Sequence, residues 1–257
     1  MKIGLQWIVR VTLVSASVLA LPAVSFAQVN VIISGGFAAA YQELLPEFER
    51  TTGIKVATAS GSSLGTGPNS IIGQLRSGVV ADVVILSREG FSELVADSRI
   101  IAGSESVLAQ SPLGIAVRSG APKPDVSSME SLKQTLLRAS SIAITAGASG
   151  SYLTGTLFPR LGIADELARK TLVSGAAAVT NGTAEMAIRP ASELLPVPGV
   201  DFAGAIPVEA QMYSVYAAAI VAGSKEQQAS HRLIAFLASE GALPTIKKHG
   251  MEPLPNR

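Results

Sequence analysis

From Val29 onward, apolar and polar positions fall into a repeating strand and helix pattern. QVNVIIS (28–34) is a short β-rich run that ends at Gly35-Gly36. In the FAAAYQELLPEFERTTG that follows, Phe37, Ala40, Tyr41, Leu44, Leu45 and Phe48 recur at helical spacing on one face. Gly53 stands where the left-handed residue past a helix end belongs, and Pro46 inside the pattern predicts a kink. IKVATAS (54–60) reads as a second strand, NSIIGQLRSG (69–78) as a helix with a glycine stop, and ADVVIL (81–86) as a nearly all-apolar strand. REGFSELVADS (88–98) adds a further helix. Alternation of this kind predicts an α/β fold whose parallel sheet carries helices on both faces.

The stretch 107–124 has apolar residues on both sides of Ser111-Pro112 and ends in a Pro/Gly-rich turn. A second unit of the same grammar then begins. SSMESLKQTLLRA (127–139) predicts a Ser-capped helix, SIAIT (141–145) a strand, and AGASGSY (146–152) a Ser/Gly turn opening the helix TGTLFPRLG. AEMAI (184–188) is a further strand, followed by the proline-rich SELLPVPGVDF. MYSVYAAAIVA (212–222) reads as a long strand and QASHRLIAFLAS as a closing helix. Two α/β units joined by two crossings predict two lobes: residues 28–108 plus 218–257, and residues 113–208. The hinge strands lie near 107–118 and 206–222. A ligand is expected in the cleft between the lobes.

Residues 1–27 read as a secretory signal peptide. Lys2 and Arg10 flank the start of an apolar run, and Ser25 and Ala27 occupy the small-residue positions of a cleavage site before Gln28. An exported protein, periplasmic in location, is therefore expected. Removing the leader leaves 18 Lys and Arg against 19 Asp and Glu, with no basic cluster, so nucleic acid is not an expected partner. There is no cysteine, which excludes disulfides, thiolate metal sites and a Cys nucleophile. His231 lies off the apolar face of its predicted helix, and His249 follows Lys247-Lys248 at a helix end. Neither setting suits a Ser-His-Asp enzyme. Neither a metal, a cofactor nor catalytic activity is expected.

Three Ser/Gly segments share one position in the pattern, each ending a strand and opening a helix: ISGGF (33–37), SGSSLGTG (60–67) and GASGSY (147–152). Strand ends form the ligand crevice of an α/β sheet, and a helix N-terminus offers unpaired N–H groups to an anion. Ser34, Ser62, Ser63, Ser149 and Ser151 can add hydroxyls, and Gly35 lets a ligand approach the backbone. The same residues could equally be ordinary caps and turn formers. The second segment lacks the G-K-[ST] ending of a phosphate-binding loop. Tyr152 can contact a ligand or anchor its helix. Arg189, after AEMAI, can face the cleft and clamp a carboxylate, or sit at a surface turn set by Pro190.

The leader, VNVIISGGFAAAYQELLPEFERTTGIKV, the GSS segment and ADVVILS together resemble the opening of periplasmic molybdate-binding proteins. The likeness runs on through SPLGIAVRSGAP, ASGSY, SELLPVPG and IAFLASEGALPTIKKHGMEPL. It implies the two-lobed type II periplasmic-binding fold, with capture of a tetrahedral oxyanion such as molybdate or tungstate by a monomer. Delivery to the membrane permease of an ABC importer would follow. On the family pattern Ser34, Ser63 (or Ser62) and Ser149 are binding positions, while a family tyrosine aligns with Arg189. That exchange, and the added length of LGTGPNSIIGQLRSG beside the site, set the chain in a divergent, molybdate-binding-like branch. The alternatives are a receptor of the same fold for a small organic carboxylate held by Arg189, and an exported enzyme or regulatory module on the same scaffold.

Overall fold

The structure is a computed structural model that describes residues 27–254. Apart from Ala27, the expected leader lies outside the described residues. Among the described residues nine strands form: β1 (Gln28–Ile33), β2 (Lys55–Ser60), β3 (Val83–Ser87), β4 (Ser106–Arg118), β5 (Ile142–Ile144), β6 (Thr171–Val173), β7 (Met186–Pro190), β8 (Val200–Ala205) and β9 (Tyr213–Ile220). Their order is β2-β1-β3-β9-β4-β7-β5-β6, with β8 also on β4. Pairing is parallel within β2-β1-β3 and within β7-β5-β6, and antiparallel wherever β4 or β9 takes part. The α/β expectation therefore holds, as a mixed sheet in two halves that share β4.

Strand β4 changes partners halfway along. Ser106 to Pro112 lie against β9, whereas Leu113 to Arg118 lie against β7 and β8. Pro112 has no N–H to donate, so the ladder must be interrupted there in any case. The Gln211 side chain repairs the gap. Its carboxamide accepts from Leu113 N–H at 2.6 Å and donates to Leu113 O at 3.1 Å and to Ile206 O at 3.1 Å. It thus acts as a substitute peptide group between the two half-sheets.

Alternation along the buried strands explains their unbroken apolar sequence. In β3, Val83 and Ile85 enter the core under helix α1 (Gly35–Thr52), while Val84 and Leu86 enter the core under α2 (Ile71–Arg76) and α3 (Phe91–Ala96). With helices on both faces, neither face can be polar. Helix α1 buries Phe37, Ala40, Tyr41, Leu44 and Phe48 as its spacing predicts, runs through Pro46 without ending, and stops at Gly53 with φ 71°. In the second half one face is bulky, with Leu113, Ile115, Val117, Met186 and Ile188 packed on α4 (Met129–Arg138) and its neighbours. The other face is small, built on Ala116, Ala143 and Ala187. No helix of the described residues is long and apolar enough to cross a membrane.

Candidate functional site

A cleft of about 720 Å³ lies between the two halves of the sheet, at the carboxyl ends of β1, β3, β5 and β7. Crevices in α/β sheets form at this edge because strands there feed into helix N-termini. Ser34, Gly35, Ser62 and Ser63 line it from the first half, and Ser149 and Arg189 from the second. The structure does not bring Ser151 or Tyr152 to this lining. Tyr152 donates its hydroxyl to Ala210 O at 2.9 Å and packs on the core of the second half, which anchors its helix. Ser151 is exposed, two residues on from Ser149 in α5 (Ala148–Tyr152).

Ser34 is the residue before α1, yet its side chain makes no capping bond, and its N–H goes to Ile85 O at 2.8 Å. Its Oγ is buried and has no partner among the described residues. A hydroxyl in that condition normally finds a partner, and here it stands on the cleft. Ser149 is 4% exposed and lines the opposite wall. Its helix begins at Gly147, again without a side-chain cap, so two uncapped helix starts converge on the cleft. Gly150 is required there, because a β-carbon would collide with Thr145 O.

The second Ser/Gly segment behaves differently from the other two. It ends β2, but α2 starts only at Ile71 and is capped by Ser70, whose Oγ accepts from Gly73 N–H at 3.0 Å. Ile71 N–H is spent on Ser62 O at 3.0 Å. Residues 62–70 form a closed loop, and the helix start is consumed internally. Ser62 gives its hydroxyl to Leu64 O at 2.9 Å. Ser63 Oγ accepts from Ser87 N–H at 2.9 Å, which leaves its own proton free to donate.

Arg189, next to last in β7, stands in the cleft lining. Nη1 donates to Ser174 O at 2.7 Å, Nη2 pairs with the Glu193 carboxylate, and Nε is buried without a partner among the described residues. The sequence reading omitted Glu193, although IRPASE sets it four residues after Arg189, the spacing of a helical ion pair. It also omitted Tyr216. The cleft does hold a tyrosine hydroxyl, but from β9 and not from the β7 position that Arg189 fills. Burial, reinforced by the Glu193 charge, pushes the Tyr216 phenol well above its ordinary value, so it stays protonated. Gly36 makes room for it, since a β-carbon there would collide with the phenol. Nothing in the local sequence marks β9 as a strand that delivers a side chain to the site.

The chain resembles several known proteins over nearly all of its described length. An aconitate isomerase from a Pseudomonas species is 37% identical over 230 residues, covering 88% of each protein. The periplasmic molybdate-binding protein of Azotobacter vinelandii superposes with a TM-score of 0.71 at 20% identity, over 89% of this chain and 100% of that one. Campylobacter jejuni PEB3 bound to L-phospholactate gives 0.65 at 18%, over 87% and 98%. These two share the fold. The model of bacterial extracellular solute-binding proteins matches residues 29–252, and the chain belongs to that family.

Proposed function

We propose that the cleft captures a small organic polycarboxylate of the aconitate class outside the cytoplasm. The observation that carries this reading is Arg189, whose guanidinium stands in the cleft lining opposite the unpartnered hydroxyl of Ser34. A planar guanidinium suits a carboxylate, and the uncapped starts of α1 and α5 suit a second one. The cleft volume lies within the range of about 300–1,000 Å³ usual for small-molecule sites, more room than a bare tetrahedral oxyanion requires. The 37% identical relative carries an organic acid in its name, which supports the same class. A single chain acting as the receptor of an ABC importer accounts for the family membership and for the leader.

A second reading has its own support in that relative, which is named as an enzyme and shares 88% of its length with this chain. On this reading the bound aconitate is converted between its cis and trans isomers. One experiment tests both. The mature chain is titrated calorimetrically with cis- and trans-aconitate, other di- and tricarboxylates, molybdate, tungstate and sulfate, and each mixture is then analysed by proton NMR. Binding of polycarboxylates without change of the ligand supports the receptor; appearance of the other isomer supports the enzyme. Binding of molybdate and tungstate alone would restore the oxyanion reading and remove Arg189 from the ligand's contacts.

A further inference from the structure

Arg189 meets the cleft with its charge already matched. A carboxylate held in two-pronged fashion uses two adjacent N–H groups of the guanidinium. Nη1 is committed to Ser174 O at 2.7 Å, so the edge left for a ligand is the one formed by Nε and Nη2. Glu193 is bonded to Nη2, one of the two nitrogens of that edge, while Nε is sealed from solvent without a partner of its own among the described residues. The charged side chains that line the cleft are Arg189, Glu193 and Glu89, so no lining cation is left over for an anion.

The backbone beneath Glu193 is fixed. Ser192 N–H donates to Ser111 Oγ at 3.0 Å, and Ser111 Oγ donates in turn to Gly250 O at 3.0 Å. A β-carbon at Gly250 would collide with Leu195, so the C-terminal segment is pressed against the same turn. Those contacts hold the backbone of the turn, so the Glu193 side chain is the part of it with freedom to leave the guanidinium.

Resting on the polycarboxylate reading of the cleft, we propose that Glu193 is a specificity-determining residue that competes with the ligand for Arg189. A ligand carboxylate takes the Nε and Nη2 edge by displacing the Glu193 carboxylate. A monocarboxylate has only that exchange, one carboxylate for another, and gains little. A polycarboxylate sets a second group against the Ser34 and Ser149 ends of the cleft and gains from both, so it still binds against a penalty that is the same for both ligands and that leaves a monocarboxylate with little net affinity. A tetrahedral oxyanion held by the neutral donors alone does not compete with Glu193 for Arg189 and feels it only as one more charge in the cleft.

The test is calorimetric titration of wild type, Glu193→Gln and Glu193→Ala with trans-aconitate, acetate and molybdate, with thermal melts to establish that each variant is folded. If the competing pair holds Arg189 nine-tenths of the time, both variants bind trans-aconitate about tenfold more tightly. Acetate, which competes for the same edge, gains by the same factor, and molybdate gains less than either carboxylate. Equal or weaker aconitate binding by a folded variant overturns the competition and leaves the polycarboxylate reading standing. A wild type that binds molybdate and no carboxylate overturns the polycarboxylate reading, and the competition falls with it.

Discussion

The two walls of the cleft follow one plan with different chemistry. Each places the end of a buried strand against the start of a helix, so each presents backbone N–H groups to a ligand. The first wall rests on α1, eighteen residues long and packed along one face by Phe37, Tyr41 and Phe48; its side-chain donors are neutral, and Glu89 is the charged side chain it adds to the lining. The second rests on the helix that α5 opens, packed on the bulky face of its half-sheet, and on the four-residue turn Ala191–Leu194, set over the small alanine-lined face. That wall holds Arg189 and Glu193. A neutral helix start on a rigid support serves any anion. Charge on a short turn distinguishes one anion from another, and it can be changed there without disturbing the large core.

The strongest test of this division is Arg189→Ala. The variant removes the guanidinium that would pair with a ligand carboxylate, and losing one partner of such a pair costs about 3 kcal/mol, or about a hundredfold in affinity. Calorimetry should show that loss for aconitate and a much smaller one for molybdate. Equal losses for both ligands would mean that the two walls do not divide the work. Gly36→Ala tests the first wall through its packing. A methyl group there meets the Tyr216 phenol, and overpacking of this kind costs about 1–3 kcal/mol. Thermal unfolding should register the full effect, because Tyr216 sits on a central strand and cannot retreat without moving β9 away from β3 and β4.

Ser34→Ala separates binding from stability. The hydroxyl is buried and makes no bond within the described residues, so folding loses nothing by its removal and the melting temperature should stay close to that of wild type. A ligand carboxylate would lose one charge-assisted hydrogen bond of about 1.5 kcal/mol, roughly tenfold in affinity. Unlike Arg189→Ala, this variant should weaken aconitate and molybdate alike. A drop in stability with no change in affinity would identify Ser34 as a packing residue and remove the first wall from the site.

The same contrast explains what was legible in the sequence. Ser34, Gly35 and Ser149 stand at strand-to-helix junctions whose periods of two and 3.6 are written locally, and the structure sets all three in the cleft lining. The GSS segment looked equivalent, but Ser70 takes the cap of α2 and turns residues 62–70 into a closed loop. The competing feature was a second serine eight residues on, and local pattern gives no rule for choosing between two eligible caps. Tyr152 is a case of the same kind. Its position within the ASGSY turn is local information, but its direction depends on Ala210, 58 residues away. Tyr216 and Gln211 depend wholly on long-range pairing of β9 and β4, so no local period could indicate them. Arg189 and Glu193 could have been read as a pair from their spacing, though not as a pair within a cleft.

Strand β7 offers the smallest and cleanest comparison, because its two ends carry unlike charges in unlike settings. Arg189 lies at the cleft end. Glu185 immediately precedes the other end, where its carboxylate accepts from the Ser140 hydroxyl at 2.6 Å and from Ser140 N–H at 2.7 Å. Those bonds hold the Glu185 carboxyl below its ordinary value of 4.5, the hydroxyl contributing most. A carboxyl lowered in the folded state adds stability that is fully present above its unfolded pKa and is lost as pH falls through its folded one. The wild type should therefore lose a small increment of stability below about pH 4.5, and Glu185→Gln should flatten that part of the curve. Because Glu185 is exposed and far from the cleft lining, the same variant should bind aconitate as wild type does. A change in affinity on altering Glu185 would show that β7 transmits its far end to the cleft, and the charged wall could then no longer be treated as a local device.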